Sequence, residues 1–135
     1  MMAAMTQSTA TLYGIRNCDT VKRARLWLDE HQLPYQFHDF KLDGVPPAAL
    51  DEWLAAVGWE PLLNRQGTTW RKLCGDVQAA VADAGSARAL MLASPAVIKR
   101  PVMAWAQAAG GGITVGFKPE AWVSRLQPAG PGAVP

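Results

Sequence analysis

Cys18 is the residue of this sequence with the clearest capacity for chemistry. It lies in Thr11-Leu12-Tyr13-Gly14-Ile15-Arg16-Asn17-Cys18-Asp19-Thr20, where a short β-type run breaks at a polar loop and a helical pattern begins directly after the thiol. At a helix N-terminus the backbone N–H groups lack intrahelical partners and the dipole is positive. A thiolate is therefore favoured, and its pKa falls from about 8.5 into a range of ~3.5–7.5. Such a sulfur is a nucleophile at neutral pH. Arg16, Lys22 and Arg23 surround it with positive charge, and Asp19 opposes them. Position alone fits a buried structural cysteine as well, since free cysteine is among the most buried residue types. The second thiol, Cys74, follows the apolar Leu73 with Asp76 nearby, and the expectation there is a packed or incidental thiol.

The elements that must hold Cys18 follow from hydrophobic periodicity. Thr11 to Ile15 reads as a strand closed by Asn17. Asp19 to His31 reads as a helix, because Val21, Ala24 and Leu28, with Trp27, recur at three- and four-residue spacing. Leu33-Pro34 ends it, and Tyr35 to Phe40 alternates aromatic with polar residues as a half-buried strand does. The short loops predict two parallel strands with a right-handed crossover.

From Pro46 to Pro95 the pattern is helical with no good strand. Pro47 opens a helix that stops at Gly58, and Trp59 to Asn64 is a further short piece before a loop from Arg65 to Thr69. Asp76 to Ala84 and Ser86 to Ala93 are two more helices separated by Gly85, capped by Asp76 and Ser86. Pro101 cannot sit inside a strand, so a strand begins after it, with this proline at the strand start or in a cis turn. Gly110-Gly111-Gly112 makes a hairpin turn to a return strand from Ile113 to Gly116, and Pro119 to Leu126 closes as a helix. The fold class is α/β, a sheet frame carrying an inserted helical subdomain at about 46–95.

Composition narrows the function. The 135 residues, 50% hydrophobic and 18% charged, describe one globular domain able to bury its own core. A net charge of +2 without an arginine-rich run argues against nucleic acid as a partner. Two cysteines are too few for a secreted disulfide framework and lack partners at zinc spacing, so no metal is expected and a reducing cytoplasm fits best. The first ten residues do not resemble a signal peptide, and no segment is apolar for long enough to span a membrane. Residues 1–10 and 127–135 read as flexible termini.

Four separated stretches carry a resemblance: the Cys18 segment above, Arg65-Gln66-Gly67-Thr68-Thr69-Trp70-Arg71-Lys72-Leu73, Ile98-Lys99-Arg100-Pro101, and Gly116-Phe117-Lys118. In this order they resemble the ArsC/Spx/YffB family, nearest its YffB-type members, over residues 11–126. The resemblance implies a thioredoxin-like fold and thiol-dependent reduction in the cytoplasm. It implies Cys18 as nucleophile, Arg100 as an anion-binding arginine, and Pro101 as a cis-proline facing the active-site loop. Asn17, Arg65 and Lys118 join Arg100 and Pro101 as the substrate- or glutathione-binding positions.

Thioredoxins carry a resolving cysteine three residues after the first; here that position is Val21. The chain reads as a monothiol variant in which glutathione, a co-substrate and not a bound cofactor, releases an unknown oxidised substrate. Two departures weaken an arsenate reductase reading. Asn64, not arginine, follows Leu62-Leu63, with Arg65 one place later, and Lys118 stands where those enzymes place a third arginine, without its bidentate fork. Regulators of the Spx type bind RNA polymerase, but Val21 removes the redox switch they commonly carry; a binding-only protein is the remaining alternative. His31 and His38 have no evident catalytic partner.

Overall fold

A computed structural model describes residues 10–106 and 109–126. The expected flexible termini therefore lie outside the described residues, except for Ala10, which begins the first strand. The chain divides into two compact units: Asp39–Lys99 forms one, and the residues on either side of it form the other. The helical unit is thus wider than the expected span 46–95.

The outer segments build a four-stranded mixed sheet in the order β2-β1-β3-β4. Its strands are β1 (Ala10–Gly14), β2 (Tyr35–Asp39), β3 (Val102–Ala104) and β4 (Ile113–Val115). β1 and β3 run antiparallel, with Leu12 opposite Met103 and Tyr13 opposite Val102. β3 and β4 are also antiparallel. β3 starts directly after Pro101, as proline's missing N–H requires. The turn between β3 and β4 passes through Gly110, Gly111 and Gly112, whose φ angles of 96°, 63° and 83° are left-handed and favour glycine at all three.

Helix α1 (Asp19–Glu30) lays Val21, Ala24, Trp27 and Leu28 into the core, the spacing read from the sequence. These residues pack with Leu12, Met103, Trp105 and Trp122. Each fully buried aliphatic side chain contributes about 1.5–3 kcal/mol. Trp122, on the closing helix (Pro119–Leu126), meets Trp27, Trp105 and Phe117 edge-on at 5.4, 4.9 and 4.9 Å between ring centroids. Arg125 of the same helix donates from Nη1 to the carbonyls of Ala109 and Gly111, which ties the helix to the glycine turn.

The inserted unit contains α2 (Phe40–Asp43), α3 (Pro47–Val57), α4 (Trp59–Leu62), α5 (Thr68–Lys72), α6 (Gly75–Ala80) and α7 (Ala84–Ala93). Among its core residues are Leu50, Trp53, Met91 and Val97. Several boundaries differ from expectation for local reasons. Phe40 leaves the strand because the Asp39 carboxylate accepts the Lys41 N–H at 2.8 Å and starts a helical turn. The loop from Arg65 stops at Gly67, and Thr68 and Thr69 are already helical. Asp76 sits inside the first turn of its helix and caps nothing. The cap of α7 is Asp83, which accepts the Ser86 N–H at 2.9 Å while Ser86 Oγ accepts the Asp83 N–H at 3.1 Å. This reciprocal capping box carries the helix through Gly85. An antiparallel bridge pairs Ile98 with Leu63, which lies in the stretch expected to hold no good strand.

Candidate active site

Cys18 is the N-cap residue of α1, with extended backbone at φ −82° and ψ 127°. Its N–H donates to the Ile15 carbonyl at 3.1 Å and its carbonyl accepts the Lys22 N–H at 2.9 Å. The first bond closes a tight turn with Arg16 and Asn17 at its corner; the second is the first rung of the helix. The sulfur is thus fixed where strand β1 hands over to α1. Gly14 makes the handover possible: a Cβ there would stand 2.7 Å from Val21 Cγ2.

The register of β1 with β3 brings the other half of the site. Tyr13 faces Val102, so continuing the same pairing past the strand ends carries Pro101 to Gly14 and the Cys18 turn. The Arg100–Pro101 peptide is cis. Pro101 is buried, and its carbonyl accepts the Gly116 N–H at 2.8 Å. From this position Arg100 acts on the Cys18 sulfur, favouring its thiolate through hydrogen-bond donation and charge.

Burial by itself pushes the Cys18 thiol up. The Val21 amide, the hydrogen bond and charge of Arg100, and the Thr20 amide outweigh it, and the thiol lies below the ordinary cysteine value. Thr20 and Val21 are the second and third residues of the helix, whose amides a capping group ordinarily takes. The thiol is not held in a strict capping hydrogen bond. The amides therefore act as dipoles aimed at the sulfur, and they favour its anion.

Not every expected group contributes. Arg16, Asp19, Lys22 and Arg23 do not figure among the groups that move the thiol, and Lys22 and Arg23 point into solvent. The effective cation is Arg100, which arrives from the other end of the chain. Asn17 is exposed at the corner of the turn. Lys118 is exposed and makes no hydrogen bond or ion pair with Cys18 among the described residues; its carbonyl caps the closing helix by accepting from Ala121 and Trp122.

Arg65 belongs to the inserted unit, where its guanidinium lies 5.5 Å from the Trp59 ring centroid. Asn64 is committed to the turn that contains Arg65, accepting the Gln66 N–H on Oδ1 at 3.2 Å. Trp70 is only half-buried. Cys74 is exposed at the start of the six-residue α6, not packed. His31 stacks on Trp27 at 4.0 Å and His38 lies 5.2 Å from Tyr13, ordinary surface and strand roles. The unpaired N–H groups expected at the helix N-terminus are those of Thr20 and Val21, two and three residues after the thiol.

Comparison with known proteins gives a consistent answer. The model of the ArsC family matches residues 13–124. An uncharacterized protein of Haemophilus influenzae is 39% identical over 93 residues, which is 69% of this chain and 81% of the relative. A solved structure named YFFB protein is 48% identical with a TM-score of 0.78, covering 87% of this chain and 99% of its own. An arsenate reductase (ArsC) related protein from Brucella melitensis is 49% identical with a TM-score of 0.66, covering 88% and 95%. With its thioredoxin-like sheet and a family match that spans most of its length, this chain belongs to the ArsC family.

Proposed function

We propose that this protein is a glutathione-dependent thiol reductase that works through one nucleophilic cysteine, Cys18, in the cytoplasm. The observation that carries the reading is the Cys18 sulfur held at the N-terminus of α1 against Arg100, with its pKa drawn down. In the reaction, the Cys18 thiolate attacks one sulfur of a mixed disulfide between glutathione and the substrate. The S–S bond breaks, the substrate leaves as a thiolate that takes up a proton, and glutathione remains on Cys18. A second glutathione thiolate attacks that adduct, releases oxidised glutathione and restores the Cys18 thiolate. Val21 offers no sulfur to shorten the second step.

Incubation with oxidised glutathione followed by peptide mass spectrometry tests this reading. The expected result is one glutathione on Cys18 that reduced glutathione removes, and none at this position in the Cys18→Ser protein. An unmodified Cys18 would contradict it.

Arsenate reduction is the second reading, favoured by Arg100 beside the thiol and by the description of the Brucella relative. It ranks lower because Asn64 is committed to a turn and Lys118 lacks a planar fork, and each lost charge-assisted contact forfeits about 1.5–3 kcal/mol.

A further inference from the structure

Arg25 is held over the Phe37 ring at 4.3 Å from its centroid, and its Nε donates to the Tyr35 hydroxyl at 3.1 Å. It is half-buried, and among the described residues no carboxylate pairs with it. A phenol and a ring face fix the side chain without neutralising it, and the forked Nη1 and Nη2 donors remain to meet an anion. The guanidinium of Arg16, two residues before the thiol, lies 5.7 Å from the same ring.

The location relates this pair to the sulfur. Arg25 follows Cys18 by two helical turns on the same face of α1, about 10 Å along the axis. A helical side chain leans back toward the N-terminus, which shortens that gap. One extended residue of about 3.3–3.6 Å, added to the cysteine side chain of glutathione and an S–S bond of about 2 Å, carries the glycyl carboxylate most of the way along this shortened gap.

Resting on the glutathione reading, we propose that Arg25, braced by Phe37 and Tyr35, is the site that binds the glycyl carboxylate of glutathione while its sulfur meets Cys18. The glycyl end is chosen over the γ-glutamyl end because its carboxylate has no ammonium beside it. An uncompensated anion gains more from the Arg25 guanidinium.

S-methylglutathione, which binds without reacting, is the probe, together with its glycyl monoethyl ester. Affinities are measured by calorimetry for the wild-type protein and for Arg25→Gln. The wild type should bind the free acid about tenfold more tightly than the ester, the effect of one charge-assisted contact. Arg25→Gln should bind both equally, near the wild-type affinity for the ester. Equal binding of acid and ester by the wild type overturns the proposal, as does an unchanged tenfold preference in Arg25→Gln or no binding of either probe. The wild-type comparison holds whether or not the variant folds. Glutathione addition to Cys18, measured in parallel by mass spectrometry, separates the two failures. If it persists while the acid–ester preference is absent, only the Arg25 site is wrong; if it too is missing, the reductase reading falls.

Discussion

Arg100 is the side chain that draws the Cys18 thiol down, by hydrogen-bond donation and by its charge. Replacing it by methionine keeps much of the length and removes the charge. Alkylation of Cys18 by iodoacetamide should then slow at acid and neutral pH, because less of the thiol is ionised, and approach the parent rate once the pH exceeds the thiol's ordinary value. Arg100→Lys should lie between the two. A pH–rate profile for each protein checks this.

The same shift links Cys18 to stability. A thiol whose folded-state pKa lies below its unfolded value releases its proton more readily when folded. The native state gains stability as pH rises through the folded pKa, keeps it above the unfolded pKa, and loses it on acidification. The parent protein should therefore gain stability relative to Cys18→Ser between pH 5 and pH 9. Denaturant midpoints of the two proteins across that range give the measurement; a constant difference would count against it.

Gly14 and Val21 set how closely β1 approaches α1. A methyl group on Gly14 would stand 2.7 Å from Val21 Cγ2, and Val21 is fully buried, so neither can yield easily. Gly14→Ala should cost about 1–3 kcal/mol. Adding Val21→Ala should recover part of that loss, a coupling visible in a double-mutant cycle of urea denaturation.

Much of this arrangement was legible in the sequence because its causes are local. The N-terminal place of Cys18 follows from the break in periodicity after Ile15, and α3 runs between the Pro47 and Gly58 signals that define it. The start of β3 after Pro101 follows from proline's missing N–H. What escaped periodicity was tertiary. Nothing near Cys18 says that Arg16, Lys22 and Arg23 leave the thiol alone, and only the family resemblance pointed to Arg100, which strand pairing delivers. The cap of α7 was misplaced because Asp83 and Ser86 act reciprocally, and a single-residue reading assigns only one of them. The exposure of Cys74 depends on how short helices pack, which periodicity over six residues does not specify.

Val21 occupies the position of a resolving thiol and sits buried one turn from Cys18. Val21→Cys should convert the monothiol site into a dithiol one. Oxidation would then join Cys18 to the introduced thiol in a disulfide, and the glutathione adduct would collapse within the mixing time instead of persisting. Mass spectrometry of quenched samples distinguishes the loss of two hydrogens from the gain of a glutathione.

The most direct test is the site and persistence of the glutathione adduct in the wild-type protein. Cys74 is the more exposed thiol, so access alone favours it, whereas Cys18 has Arg100 and the helix amides. After brief treatment with oxidised glutathione at pH 6.5, the added mass should lie on Cys18, remain until reduced glutathione is supplied, and then leave as oxidised glutathione. Mass on Cys74 alone, or a Cys18–Cys74 disulfide in place of the adduct, would contradict the single-cysteine mechanism.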